Sequence, residues 1–389
     1  MKPLDFLSGN RIDLLETGEH YFPALLAAIE SARSEVRLET YIFADDTTGR
    51  QVAQALTAAV RRQVAVYLLV DGFGAREFPD GLGHKLMAAG VRVEVYRPEV
   101  ARLKLRRHRL RRLHRKLAVI DGAIAFVGGI NIVDDRHDGA GPRLDYAVRV
   151  SGPLVARIHA GMNHLWRLVG WAKLHRRPPR PAPAPCAQTA VTGDMRAAFL
   201  IRDNLRHRRD IENAYLAALT DARDEVLLAN AYFLPGRRFR RALLGAAARG
   251  VRVTLLLQGQ GDHRLLLYAT QALYGQLALG GVRIHEYQAG FLHAKVGVID
   301  GDWATVGSSN IDPFSLLLAR EANVVVRDAS FARQLSGSLH TAIAQHAHEI
   351  RIADIAHRTW LGQLLRWGAY GLVRLLLGIT RYGGRDYRE

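Results

Sequence analysis

Six positions recur in this chain at identical spacings, once as His114, Lys116, Asp121, Gly128, Gly129 and Asn131, and again as His293, Lys295, Asp300, Gly307, Ser308 and Asn310. The sequence holds only six lysines against 48 arginines, and only eight asparagines, yet the two copies claim two of each. A pattern of these residue types is expected by chance on the order of once in a hundred million starting positions. The chain must therefore fold as two similar units, each placing its motif at an equivalent point.

The flanking sequence repeats as well. Residues 35–43 and 64–70 read as strands, and residues 51–62 between them as a helix. In the second half, residues 214–222 and 239–249 are helix-like, and residues 225–233 and 251–257 strand-like. A further helix ends at Gly90 in one half and at Gly280 and Gly281 in the other, where glycine suits the left-handed cap. Short strands follow at residues 91–96 and 282–287. Helices alternating with apolar strands predict an α/β sheet covered on both faces. Each motif His and Lys, two residues apart, is expected on one strand and on one side of it. Asp121-Gly122 and Asp300-Gly301 then suit hairpin turns leading to the motif glycines and asparagine.

Composition narrows the rest. With 389 residues and 49% hydrophobic content, two domains can each bury a core. A formal charge of +17 calls for an anionic partner, nucleic acid or the surface of an anionic membrane. One cysteine, Cys186, excludes an intramolecular disulfide and any multi-cysteine zinc site, and its linker position suits an inert thiol. The N-terminus lacks an apolar run long enough for a secretory signal, and no uncharged apolar stretch reaches 18 residues. Neither export nor a spanning helix is expected. Other histidines, such as His108, His137 and His263, match no motif position and are expected at the surface.

The paired motif resembles the HKD signature of the phospholipase D superfamily. The likeness runs from about Gly9 to about Arg327. Gly9-Asn10-Arg11, Glu39-Thr40-Tyr41-Ile42-Phe43, Asn230-Ala231-Tyr232-Phe233 and residues 304–313 are similar to bacterial cardiolipin synthases, the B type most of all. The resemblance implies an α/β fold of two similar phospholipase D-type domains, each a mixed sheet flanked by helices. They would be related by a pseudo-two-fold axis, with one active site between them. On that reading residues 1–175 form the first domain and 187–350 the second, joined by the proline-rich linker 176–186. Residues 351–389 form an amphipathic, membrane-associating segment.

Phosphodiester cleavage needs a nucleophile, an acid for the leaving alcohol, and positive charge around the phosphoryl oxygens. Two His and two Lys meet these needs without metal or cofactor. A neutral imidazole attacks phosphorus to give a phosphohistidine, while the other, protonated, delivers a proton and later takes one back. The resemblance implies His114 as nucleophile and His293 as acid and base, although the near-symmetry of the halves also allows the reverse. Lys116, Lys295, Asn131 and Asn310 would hold the phosphoryl group. The resemblance further implies that Glu321 orients His114 and Asp145 orients His293, across the two halves. Asp121 and Asp300 complete the six catalytic motif residues, but they also suit turn residues whose carboxylates bond backbone amides.

Two segments could meet a membrane. Residues 102–115 interleave leucines with a dense basic cluster just before His114, which suits anionic headgroups as well as a solvated face. Residues 360–379 place Gln363, Arg366, Tyr370 and Arg374 on one helical stripe, with Trp360, Leu361, Leu364, Trp367 and Leu375 spread over the rest. That pattern suits an interfacial anchor, a helix docked on the protein body or a dimer contact. The resemblance implies a phosphatidyltransferase on the inner face of a bacterial membrane. It would use phosphatidylglycerol as acceptor, and phosphatidylglycerol or phosphatidylethanolamine as donor. A hydrolase of phospholipid or nucleic acid is the alternative in the same superfamily, and a non-catalytic scaffold the alternative outside it. Intact motifs argue against the scaffold, and two motifs with an amphipathic tail argue against nucleic acid.

Overall fold

The computed structural model describes residues 4–98, 111–134, 143–172, 190–203, 206–260, 264–313, 315, 318–357 and 359–379. The linker at 176–186 with Cys186, most of the basic stretch at 102–115, and His108, His137 and His263 lie outside the described residues.

The first half contributes β1 (Leu7–Glu16), β2 (Glu35–Thr40), β3 (Ala65–Asp71), β4 (Arg92–Tyr96), β5 (Arg112–Leu113), β6 (Lys116–Ile120), β7 (Ile124–Gly128) and β8 (Tyr146–Ser151). The second contributes β9 (Met195–Arg202), β10 (Glu225–Asn230), β11 (Arg252–Gln258), β12 (Arg283–Tyr287), β13 (Lys295–Ile299), β14 (Trp303–Gly307), β15 (Ala319–Arg327) and β16 (Ala347–Glu349). The sheet runs β16-β12-β11-β10-β13-β14-β15-β9-β1-β8-β7-β6-β2-β3-β4, with β5 paired to β15 off this path. Read outward from the β9–β1 junction, the two halves repeat: β8 answers β15, β7 answers β14, β6 answers β13, β2 answers β10, β3 answers β11 and β4 answers β12. In each half three strands are parallel and the motif hairpin is antiparallel to them. This is the mixed α/β fold expected from the duplication.

Helices cover both faces. In the first half Thr17–Glu30 and Thr47–Arg61 bury Leu25, Ile29, Val52 and Leu56 against Val66 and Leu68. In the second, Asp210–Asp221 and Arg237–Ala248 bury Tyr215, Leu219 and Leu243 against Val253 and Leu255. Each fully buried leucine of this kind stabilises by about 1.5–3 kcal/mol. A third core joins the halves, packing Ile158 and Met162 of Leu154–Ala172 and Leu335 and Leu339 of Ala329–His346 with Val127, Val148, Val306 and Val324. Both halves thus share one core beneath the motifs.

Local chemistry sets the boundaries. Asp46 caps Thr47–Arg61 by accepting from the Gly49 N–H at 2.8 Å, so that helix starts a turn earlier than its apolar spacing suggests. Gly90 and Gly281, with φ of 95° and 84°, end their helices in the left-handed region. β2 is buried on both faces: Val36 and Leu38 enter the core, while Glu35, Arg37 and Glu39 alternate on the other side. There Glu39 pairs with Arg115 at 2.6 Å, Glu35 pairs with Arg37, and His159 reaches Glu35 at 3.0 Å. Removing one partner from a buried pair of this kind costs about 3–5 kcal/mol.

Candidate active site

The segment before each motif lysine leaves its own half. Leu113 pairs with Arg320 in β15, and the His114 N–H donates to the Arg320 carbonyl at 2.9 Å. In the second half Leu292 bridges Leu144, and the His293 N–H donates to the Leu144 carbonyl at 2.9 Å. The strands β6 and β13 begin only at Lys116 and Lys295. The expectation from spacing that His and Lys share one strand is therefore corrected. The histidines sit where the chain crosses from one half's pairing to the other's, and the lysines start the strands beyond.

This crossing puts each imidazole beside the carboxylate that follows its backbone partner. His114 Nδ1 lies 3.0 Å from Glu321 Oε2, and His293 Nδ1 lies 2.6 Å from Asp145 Oδ2. Both carboxylates are buried. With Nδ1 committed to the carboxylate, Nε2 of each ring is left for the chemistry. Around the pair, Lys116 Nζ donates to the His114 carbonyl at 2.8 Å, Lys295 Nζ donates to the His293 carbonyl, and Lys295 Nζ stands 4.0 Å from Asp145 Oδ2. Tyr41 meets His114 edge-on at 5.0 Å and Phe291 stacks on His293 at 5.8 Å, so aromatic rings fix both imidazoles.

Burial dominates the electrostatics. It pushes Lys116 down to about 7 against the pull of Glu321, and Lys295 down to about 8 against Asp145. It also lowers His114, opposed by Glu321. Burial and the charge of Lys295 lower His293 to about 3, outweighing Asp145. Burial raises Asp145, but the charges of Lys295 and His293 outweigh it and hold the carboxyl below its ordinary value. Without substrate, burial thus disfavours the charged forms of both imidazoles and of both lysines. An entering phosphodiester anion would favour recharging the lysines and the imidazole that acts as acid.

Asn131 and Asn310 lie just beyond the strands whose ends face the lysines, as the pairing of Lys116 with Gly128 shows. The Asn131 Oδ1 accepts from the Ile42 N–H at 3.3 Å, while the buried Oδ1 of Asn310 has no partner among the described residues. Asp121 and Asp300 are elsewhere. They sit at the far ends of β6 and β13 with φ of 51°, in hairpin turns. Asp121 accepts from the N–H groups of Arg33, Ser34 and Glu35, each at 2.8 Å. Asp300 accepts from Arg223 and Asp224 at 2.9 Å and Glu225 at 3.0 Å. The expectation that these two carboxylates belong to the catalytic set is corrected: a five-residue strand, about 16 Å long, separates them from the lysines, and they tie the hairpin to the start of β2 and β10.

Asp71 and Gln258 escaped the sequence reading, and Ser308 was read there only as a motif position. Asp71 Oδ2 accepts from the Leu113 N–H at 2.7 Å, and Gln258 Oε1, at the matching end of β11, accepts from the Leu292 N–H at 2.5 Å. Each thus holds the residue before a motif histidine. Ser308 Oγ donates to Glu321 Oε2 at 2.6 Å, whereas a Cβ added at the matching Gly129 would lie 2.3 Å from Asp145 Oδ1. The matching ends of β3 and β11 were the available signal for the first two. Among the described residues no cluster of three or more His, Cys, Asp or Glu is arranged to hold a metal ion.

Two halves that exchange His and carboxylate across one continuous sheet define a two-motif phospholipase D-like architecture. A family profile described as "Cardiolipin synthase, PLD-like domain" matches residues 25–166 and 215–342. The chain is 40% identical over 364 residues to cardiolipin synthase B of Escherichia coli K12, covering 90% of this chain and 85% of that protein. It is 31% identical to cardiolipin synthase A of Pseudomonas putida F1, covering 92% of this chain and 73% of that one. The crystal structure of phosphatidylserine synthase from Haemophilus influenzae Rd KW20 shares the fold, with a TM-score of 0.71 over 98% of this chain and 97% of that one at 13% identity. The chain belongs to the cardiolipin synthase family of phospholipase D-like proteins.

Proposed function

We propose that this protein is a cardiolipin synthase, transferring a phosphatidyl group from a donor phospholipid to the free terminal hydroxyl of phosphatidylglycerol. The observation that carries the reading is the pair of crossed dyads, His114 with Glu321 and His293 with Asp145, each beside a buried lysine. His114 Nε2 attacks phosphorus, forming a P–N bond as the bond to the leaving glycerol oxygen breaks. The proton on His293 Nε2 goes to that oxygen. In the second half-reaction His293 takes the proton from the hydroxyl of phosphatidylglycerol, whose oxygen attacks phosphorus as the P–N bond breaks. Lys116, Lys295 and the amides of Asn131 and Asn310 neutralise the phosphoryl oxygens, which carry the most charge in the transition state. Phosphatidylglycerol serves as donor with glycerol as leaving group, and phosphatidylethanolamine is the second donor supported by the B-type likeness.

The setting is peripheral, at the cytoplasmic face of a bacterial inner membrane. Support comes from the charge of +17, and no helix among the described residues is long and apolar enough to cross a membrane. Residues 1–175 and 187–350 act as the two phospholipase D-like domains, with 351–389 as the membrane-associating segment. The deciding experiment incubates the protein with phosphatidylglycerol vesicles and, separately, with a labelled oligonucleotide. Cardiolipin and glycerol from the first and intact oligonucleotide in the second are expected. Phosphatidic acid as the sole lipid product, or a cleaved oligonucleotide, would make the protein a hydrolase instead.

A further inference from the structure

The helix Trp360–Ile379 buries Ala369 and Val373 and half-buries Arg366, Tyr370 and Arg374, while both tryptophans and six leucines face solvent, against the usual rule for a surface helix. On the inner side Arg366 Nε donates to Gln271 Oε1 at 3.0 Å, and the same guanidinium lies 5.8 Å from the Tyr268 ring. Val373, 1% exposed, packs there into the second half's core, with Tyr370 against it. On the outer side Trp360 is 77% exposed and Leu364 60%, and Leu365, Trp367, Leu372 and Leu375 are exposed with them. A 20-residue helix is about 30 Å long, so this apolar face is far larger than scattered surface leucines would make.

Its place in the fold matters. The helix docks on Arg264–Gln271, which follows β11. Gln258, the last residue of β11, bonds the Leu292 N–H beside His293 and lines a common cavity with Leu266, Leu267 and Thr270 of that helix. Leu265 and Tyr268 of the same helix are exposed as well. The apolar face thus lies at the end of the second half that carries His293.

We propose that the outer face of Trp360–Ile379 rests on the surface of an anionic lipid bilayer, bringing the site to the headgroup plane. This rests on the phospholipid reading above. Two observations choose the bilayer over a second copy of the chain. Two copies would bring together net charges of +17 each, whereas an anionic leaflet attracts such a surface. Tryptophans on an otherwise leucine-rich face also match the headgroup level, where aromatic residues concentrate. Burial to about 5–10 Å is the depth such helices reach.

The test uses the full chain with Leu364→Glu and Leu375→Glu combined, both at exposed positions, so that the fold is kept. Co-sedimentation is measured with vesicles of phosphatidylglycerol and phosphatidylcholine, and transfer is measured separately on phosphatidylglycerol in detergent micelles. The variant is expected to bind vesicles at least about tenfold more weakly and to keep its micellar activity. Wild-type binding should be weaker on phosphatidylcholine alone and weaken with salt. Undiminished vesicle binding by the variant would overturn the proposal. So would a wild-type dimer that the variant dissolves with no loss of vesicle binding, because the helix would then join two copies. If the wild type yields no lipid product in micelles, the phospholipid reading fails, and vesicle binding still reports on the helix.

Discussion

His293 and Asp145 stand 148 positions apart and in opposite halves, yet Nδ1 of one lies 2.6 Å from Oδ2 of the other. The His293 N–H also bonds the carbonyl of Leu144, the residue just before that carboxylate. His114 is held in the same two-point way by Arg320 and Glu321. Neither half can orient its own histidine, so the continuous β1–β9 junction is a condition of the chemistry.

Replacing a carboxylate in one half should therefore disable the histidine of the other. In Glu321→Gln the amide can donate to Nδ1 of His114, which moves the ring proton to Nε2 and removes the lone pair that attacks phosphorus. Phosphoenzyme formation should slow by about a hundredfold or more. Asp145→Asn should instead impair proton delivery by His293. His114→Ala and His293→Ala should each lower turnover by about a thousandfold or more, with the double variant scarcely worse. Labelled donor with acid quenching should trap phosphoenzyme in His293→Ala and none in His114→Ala. The opposite pattern would exchange the two roles.

Asp121 offers a contrasting outcome. Its carboxylate accepts from three backbone amides and from the Ser34 hydroxyl at 2.7 Å. Asp121→Ala should lower unfolding stability by about 1–3 kcal/mol while kcat stays within about twofold of wild type. Although partial burial opposes ionisation, these donors hold the carboxyl below its ordinary value. Its contribution is therefore present above the unfolded-state value and is lost as pH falls through the lower folded one. Thermal melts from neutral to acid pH should show the difference between wild type and variant shrinking. A large loss of kcat with an unchanged melt would return Asp121 to the catalytic set.

The same residues show what the sequence makes legible. Local periodicity revealed the parallel strands of each half and the helices between them, because one face of each packs on a core at regular spacing. It did not reveal β1 and β9, whose pairing is interrupted by a register shift between Leu7 and Asn10. Asn10 is fully buried there, and its Oδ1 accepts from the Leu154 N–H at 2.8 Å, starting the helix Leu154–Ala172. A buried asparagine in a bulged strand carries no period-two signal. The motif residues were legible as types, but the change of partner at His114 was not, since only the opposite half shows where Leu113 pairs. Asp71 and Gln258 differ in charge and so look unrelated until their strands are aligned.

Activity should survive chelation. The phosphoryl group meets Lys116 and Lys295, both buried, and the proton transfers fall to imidazoles, so the roles a divalent ion would fill are already taken. Turnover in excess chelator should stay within about twofold of the untreated rate. Loss of all activity, restored by one particular metal, would show that the site works otherwise.

Binding of an anion should draw protons into the site. Lys116 and Lys295 are lowered to about 7 and about 8 by burial, so near pH 8 the free site holds less positive charge than two ordinary lysines would. A bound phosphoryl group favours the charged forms and raises all these values. Titrating tungstate or phosphate by calorimetry at pH 8, in buffers of differing ionisation enthalpy, should therefore show net proton uptake. Affinity should weaken as pH rises, and kcat/KM should fall as pH rises through about 7 to 8, where the free enzyme's lysines lose their protons. Stability moves the other way. Between these folded values and the unfolded lysine value of about 10.4, the unfolded chain binds more protons, so the two lysines make stability rise with pH across that window. Lys295→Met should remove part of the uptake. Anion binding with no proton uptake in any buffer would mean that the lysines are fully charged in the free site, and that burial does not set their titration.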